Sequence, residues 1–179
     1  SLDAPDAAPL ANNAGDADQA LANAEQVLEA EYFTPFLSHS PMEPMGATVR
    51  ITGDRVDIWA STQSPEGLVT EMVNALGVEA ENVYAHRVQA GGGFGRRGGS
   101  SDYARAAALI AAELPEGTPV KMLWTREEDT QHDFYRPLAM YRLKGGLDAD
   151  GNITGWKARI ASGSIMNRMR GAPLLGGVD

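Results

Sequence analysis

Cysteine is absent from this sequence of 179 residues. That excludes disulfides, cysteine-ligated zinc and iron–sulfur clusters held by this chain. Long apolar runs are also missing. Nothing approaches the roughly 20 residues that cross a bilayer as a helix, and no secretory signal is visible. Basic residues are in the minority, with Lys+Arg 15 against Asp+Glu 24 and a formal net charge of −9. Duplex-binding domains draw most of their affinity from phosphate neutralisation, so this balance argues against a nucleic-acid partner. What remains is ordinary for a soluble globular chain, at 43% hydrophobic and 22% charged residues.

The chain opens at Ser1 and closes on Gly-Gly-Val-Asp with no capped element. The expectation is a piece trimmed from a longer polypeptide. Residues 1–16, rich in Ala, Asp, Asn and Pro, read as a flexible leader or linker. Residues 17–179 read as one partial domain. Asp16 or Asp18 can cap a short helix through Ala20, Leu21 and Ala24. Strand signals cover 27–33, 49–51, 56–59, 83–88, 120–124, 138–147 and 153–160, with Gly53-Asp54 and Asp148–Asn152 as hairpin turns. Ser64-Pro65 opens a helix whose Leu68, Val69, Met72, Val73 and Leu76 share one face, and Gly77 stops it. A second helix starts at Ser101 or Asp102. Its small residues, Ala104, Ala107, Ala108 and Ala111, suit close packing. A charged helical turn follows over 126–132. The pattern predicts an α+β fold: a two-layer domain with a mainly antiparallel or mixed sheet and two main helices packed on one sheet face.

The richest segment chemically is Gly91-Gly92-Gly93-Phe94-Gly95-Arg96-Arg97-Gly98-Gly99, read as a loop between a strand and a helix. Glycines reach positive φ and let backbone N–H groups approach a ligand. Consecutive N–H groups facing one way form an anion nest, and two arginines add charge suited to phosphate. A pyrophosphate cradle and a surface loop are balanced readings on these residues alone. Gly93 to Gly98 also fits the G-x-G-x-x-G dinucleotide pattern. The context is poor, since that signature opens its helix inside the motif within a parallel βαβ unit. Ser61-Thr62-Gln63 leads from a strand into the capped helix. Gln63 carries both a donor and an acceptor there, although a plain helix start explains the segment as well.

Other polar clusters have a structural explanation ahead of a chemical one. Arg126 to Asp133 concentrates carboxylates near His132, which suits a solvated helix face with i,i+3 and i,i+4 pairs better than a metal site. His39 and Glu43 lie in a Pro-rich loop, where loop-holding hydrogen bonds outrank a catalytic pair. His86 sits on a strand and is expected to be half-buried or paired. Asp148 to Asn152 resembles the start of a calcium loop but lacks its later ligands.

Taken together, Ser61-Thr62-Gln63, the helix ending at Leu76-Gly77-Val78, the following strand and Gly91 to Gly95 match in order and spacing. They resemble the molybdopterin-binding subunit of the xanthine dehydrogenase/aldehyde oxidase family. Three further segments resemble its isoquinoline 1-oxidoreductase beta-subunit-like branch: Tyr32 to Phe36 through Met42-Glu43-Pro44-Met45, Phe94 to Arg97, and Trp124 to Asp129 through His132 to Pro137. The resemblance runs from about residue 20 to the C-terminus.

The resemblance implies a molybdenum–molybdopterin cofactor, in its cytosine dinucleotide form, and [2Fe-2S] clusters in a partner subunit. It implies oxidative hydroxylation of an N-heteroaromatic or aldehyde substrate, with water as the oxygen source. Carried over by position, Gln63 would face an oxygen ligand of the metal. Gly92, Gly93, Phe94 and Gly95 would supply backbone contacts beside metal and pterin, and Arg96 would reach cofactor or substrate. No residue here is expected to ligate a metal. The general-base glutamate is expected downstream, so no catalytic residue is assigned and the isolated chain is expected to be inactive and to hold no cofactor. Gly98 stands where purine-oxidising relatives carry a substrate-binding glutamate, which makes xanthine an unsuitable substrate. The expected partners are the remainder of the subunit, an iron–sulfur subunit and a small-molecule substrate. The parent's location is open between periplasm or membrane surface and cytoplasm. The competing functions are a non-catalytic binding or assembly module with this fold and, behind it, a dinucleotide-dependent oxidoreductase.

Overall fold

The computed structural model describes residues 12–165 and residue 167. Along the chain the elements are α1 (Ala17–Ala22), β1 (Gln26–Thr34), β2 (Gly46–Thr52), β3 (Arg55–Ala60), α2 (Pro65–Leu76), a 3-10 turn (Ala80–Asn82), β4 (Val83–Arg87), α3 (Arg96–Gly99), α4 (Asp102–Ala112), β5 (Val120–Leu123), α5 (Arg126–Gln131), β6 (Ala139–Leu147) and β7 (Ile153–Ser162). The chain divides into two compact units. Ser38–Tyr135 forms one, and the segments flanking it form the other.

The central unit holds a four-stranded sheet in the order β4-β3-β2-β5. The hairpin β2–β3 is antiparallel, with Val49 opposite Ile58, and turns at Gly53, whose φ of 56° suits glycine. After β3 the chain crosses over through α2 and returns as β4, parallel to β3 with Ile58 opposite Ala85. The helix α2 forms where the sequence predicts it. Ser64 Oγ accepts from the Gly67 N–H at 3.2 Å, Pro65 occupies the first turn, and Gly77 ends the helix in the left-handed region at φ 70°. Leu68 and Met72 of α2 and Ala104, Ala107, Ala108 and Ala111 of α4 are buried with Val49, Val56 and Ile58. Alanines along α4 keep its backbone close to the sheet. Burying each large aliphatic side chain contributes about 1.5–3 kcal/mol.

The other face of this sheet is polar. Asp57, opposite Arg50 on β2 and beside Tyr84 on β4, is almost fully buried under basic side chains. Arg55 donates to it from Nε and Nη2 at 2.9 Å each, Arg50 at 3.1 Å, and the His86 ring lies 2.9 Å away. The hydrogen bonds from Arg55, then those from His86 and Arg50, hold the Asp57 carboxyl well below the usual carboxylate range despite its burial. His86 also stacks on Trp59, with centroids 4.7 Å apart, so this strand histidine is paired and half-buried.

The flanking unit is an antiparallel sheet in the order β1-β6-β7. Tyr32 lies opposite Tyr141, and Tyr141 opposite Ile160. The helix α1, capped by Asp16, packs on β6 and β7 where two glycines leave room. A Cβ on Gly155 would stand 2.9 Å from Ala20 Cβ, and one on Gly146 would stand 2.9 Å from Ala24 Cβ. On that sheet face Lys144 pairs with Glu29 at 3.0 Å and Lys157 with Asp18 at 2.6 Å.

The chain is therefore α+β with largely antiparallel pairing, and α2 and α4 lie on one sheet face. Two local expectations are revised. Residues 91–99 are not loop throughout, because Arg96–Gly99 closes a helical turn. Gly95, at φ 105°, starts it, and Arg96 N–H donates to Gly93 O at 2.9 Å. A helical turn thus does open inside the G-x-G-x-x-G pattern. The strand before it, β4, is nonetheless parallel only to β3, and the rest of its sheet is antiparallel. That is not the doubly wound parallel sheet of a Rossmann unit. Within 17–179, read from sequence as one partial domain, two units are distinguished. Of the expected leader, residues 1–11 lie outside the described residues, as do nearly all those after 165.

Candidate functional site

The end of β3 and the end of β4 sit side by side because the two strands are parallel. The segments that leave them, Ser61–Gln63 and the glycine loop, are therefore neighbours. Ser61 and Thr62 are buried and Gln63 is exposed. Gln63 N–H donates to Arg97 O at 3.0 Å, and Thr62 Oγ donates to the same carbonyl at 3.2 Å. The Gln63 side-chain amide has no protein partner among the described residues. A Cβ on Gly93 would stand 3.1 Å from Gln63 Oε1, and one on Gly98 would stand 3.7 Å from it. Gly98 thus borders Gln63.

The glycine loop has an unusual backbone and unpaired donors among the described residues. Gly92 and Gly95 have φ of 97° and 105°, and Phe94 between them is left-handed at 54°. A bulky residue in that region is strained, typically by about 1–3 kcal/mol, and the Phe94 ring is 76% exposed. Among the described residues, no protein acceptor meets the N–H groups of Gly92, Gly93, Phe94 or Gly95. Four successive free donors beside a free side-chain amide make a surface suited to an acceptor-rich or anionic ligand.

The two arginines do not extend that surface as the sequence suggests. Both are buried. Arg97 Nε donates to Gly92 O at 2.7 Å, Nη1 to Ser61 O at 3.2 Å and Oγ at 2.5 Å, and Nη2 to Glu43 O at 2.8 Å and Oε2 at 3.0 Å. Arg96 Nη2 reaches both Asp102 oxygens at 2.9 Å, and its Nε lies 3.3 Å from Asp133. Its guanidinium lies over Phe134, 5.0 Å from the ring centroid. Its Nη1 is buried with no hydrogen-bond partner among the described residues. An isolated buried charge is costly, so each guanidinium brings its own carboxylate.

His39 and Glu43 serve different neighbours. Glu43 Oε2 accepts from Gly91 N–H at 2.7 Å and Ser61 Oγ at 3.2 Å as well as from Arg97. His39 Nδ1 lies 2.9 Å from Asp133, and its Nε2 faces Gly95, 3.6 Å from where a Cβ would be. Burial favours a neutral Asp133. The Ser38 hydroxyl, the His39 N–H and the His39 ring oppose it, and they hold the carboxyl below its ordinary value. The charged turn is only partly solvated. Glu128 and His132 are exposed at 3.3 Å, whereas Asp129 is buried against Arg126, which also reaches the carbonyls of Pro41 and Met42. No cluster of three metal-ligating side chains occurs among the described residues.

The structure thus brings Gln63, Gly92, Gly93, Phe94 and Gly95 to one place and sets Arg96 beneath them. Sequence reasoning gave Arg97 only a share in a phosphate-suited charge and gave Glu43 loop-holding hydrogen bonds ahead of a catalytic pair with His39, and it did not join the two. The available signal was that Met42–Met45 and Phe94–Arg97 belong to the same resemblance, since segments that recur together often touch.

Residues 4–167 match the molybdopterin cofactor-binding domain, and the chain belongs to that family. It is 30% identical over 170 residues to the aldehyde oxidoreductase molybdenum-binding subunit PaoC of Escherichia coli K12, covering 91% of this chain and 23% of that protein. It is 32% identical over 162 residues to a membrane-bound aldehyde dehydrogenase of Gluconacetobacter polyoxogenes, covering 90% of this chain and 21% of that one. The fold matches quinoline 2-oxidoreductase from Pseudomonas putida 86 with a TM-score of 0.69 at 20% identity, over 81% of this chain and 18% of that chain. The chain spans about a fifth of the PaoC protein's length. Its relatives include a molybdenum-binding subunit of an aldehyde oxidoreductase, an aldehyde dehydrogenase whose name carries pyrroloquinoline-quinone, and a subunit of a 6-hydroxypseudooxynicotine dehydrogenase complex.

Proposed function

We propose that this chain is the part of a molybdenum hydroxylase catalytic subunit that presents Gln63 and the loop Gly92–Gly95 to the molybdopterin cofactor. The observation that carries this is the convergence of an amide with four backbone donors, none of which has a protein partner among the described residues. A helix start and a surface loop give no reason for two such sets to meet. The donor set fits the group. It is neutral and directional, and it is free of side chains except for Phe94, so a large flat ligand can come close to the backbone.

When bound, the molybdenum–molybdopterin group supplies the two-electron redox chemistry of hydroxylation, with oxygen from water. Gln63 would orient toward the group through its side-chain amide. Gly92, Gly93, Phe94 and Gly95 would hold it through N–H donors, and the exposed Phe94 ring would exclude water from one side. Arg96 would act from beneath, paired with Asp102 and Asp133, with its Nη1 still without a hydrogen-bond partner among the described residues. The rest of the subunit would complete the site, including its general base, and an iron–sulfur subunit would accept the electrons. The substrate class is an N-heteroaromatic compound or an aldehyde, and the cofactor is the cytosine dinucleotide form. Segments 32–45, 94–97 and 124–137 favour the isoquinoline 1-oxidoreductase beta-subunit-like branch within the family.

Molybdenum and pterin analysis of the complete subunit tests this assignment. About one molybdenum and one pterin per subunit is expected, and their absence from correctly matured protein would leave a non-catalytic module with this fold.

A further inference from the structure

We propose that Arg97, with Glu43, is a positioning residue that builds the cofactor-facing loop before any cofactor is present. The inference rests on the site assignment above and adds two residues to it. The Arg97 side chain touches all three segments of the site: Gly92 in the glycine loop, Ser61 at the end of β3, and Glu43 in the Pro-rich loop. Its backbone carbonyl holds Gln63 N–H and Thr62 Oγ at the same time. Glu43 closes the circuit, because Oε2 binds Arg97 and also receives Gly91 N–H and Ser61 Oγ. The chain on both sides of Gly92 is thus tied down, one side through Arg97 and the other through Glu43.

The physical reason for a clamp is the glycine itself. A run of three glycines has wide conformational freedom, and fixing it at the moment of ligand binding would weaken binding by the ordering cost. A guanidinium can meet several acceptors in fixed directions, whereas an ammonium is a point charge on a flexible stem. The pair is buried at Arg97, whose side chain is fully enclosed, and half open at Glu43. Water therefore does not reach the guanidinium itself, although it reaches Glu43. Gln63 depends on the same residue, because its backbone is anchored on Arg97 O.

The test uses the complete subunit with Arg97→Lys and, as a milder variant, Glu43→Gln, with Leu68→Ala as a core-destabilised control. Hydrogen–deuterium exchange of peptides covering 91–95 and 61–64 is followed in cofactor-free protein, and molybdenum per subunit is measured after maturation. Arg97→Lys is expected to speed exchange at 91–95 by tenfold or more while β2 is unchanged, and to lower molybdenum content at least threefold. Glu43→Gln should shift both in the same direction by less. Leu68→Ala should lower the unfolding midpoint without selective exchange at 91–95. If Arg97→Lys does not fold, Glu43→Gln carries the test alone. Unchanged exchange at 91–95 in the folded variants overturns the clamp, and so does a wild-type molybdenum content in a variant whose loop has loosened. A wild-type subunit that holds no molybdenum would defeat the site assignment, and the exchange data would still judge the clamp.

Discussion

Replacing Gln63 with alanine separates a functional residue from a structural one, because the two roles predict opposite pairs of results. The side chain is exposed and its amide has no protein partner among the described residues, so truncation removes no hydrogen bond from the fold. The Gln63 N–H to Arg97 O bond at 3.0 Å belongs to the backbone and survives the change. The position precedes Ser64, the cap of α2, and leaves that cap intact. The expected loss of stability is within about 0.5 kcal/mol, as for surface substitutions away from caps and cores. That corresponds to a shift of about 1–2 °C in Tm for a chain of this size. Loss of one preorganised donor at a reacting centre typically lowers kcat by about 100- to 1000-fold. Differential scanning fluorimetry and steady-state turnover of an aldehyde or N-heteroaromatic substrate by the complete enzyme give both numbers. A fall of 5 °C or more with kcat within twofold of wild type would refute the reasoning, because Gln63 would then be holding the junction and not serving the reaction.

Leu68→Ala empties a fully buried position between α2 and the sheet and should cost about 2–5 kcal/mol, read as a lower urea midpoint. Gly46→Ala would place a Cβ 2.6 Å from Leu123 Cδ2 and 2.9 Å from Met122 O. The clash with backbone cannot be relieved by a rotamer, so overpacking of about 1–3 kcal/mol is expected, with faster amide exchange in β5. Asp57 has its carboxyl held low in the folded chain, so its contribution is present above the ordinary carboxylate range and lost as the pH falls below about 4 toward the folded value. Urea midpoints should therefore favour wild type over Asp57→Asn at pH 7 and converge in acid; equal midpoints at pH 7 would contradict this. Purified alone, the chain should contain no stoichiometric molybdenum by metal analysis, since one segment must otherwise supply the whole binding free energy.

Local signals in the sequence determined the elements. Ser64-Pro65 and Gly77 bound α2 because capping and positive φ are properties of single residues, and Gly53-Asp54 turned the hairpin for the same reason. Resemblance drew attention to Gln63 and Gly92–Gly95, which no propensity distinguishes from a helix start and a loop. Pairing was harder to read. The helix α2 returns the chain so that β4 can run parallel to β3, but whether β4 lies beside β3 or at the other edge of the sheet is a matter of packing, not of local preference. This one choice sets the ends of β3 and β4 together, and with them Gln63 and Gly93. The arginines show the same limit. Arg96 and Arg97 read as exposed charge, yet both are buried, because each finds carboxylates: Asp102 and the distant Asp133 for Arg96, and the distant Glu43 for Arg97. Burial of a charge is decided by such partners, and only the tertiary structure brings them within reach.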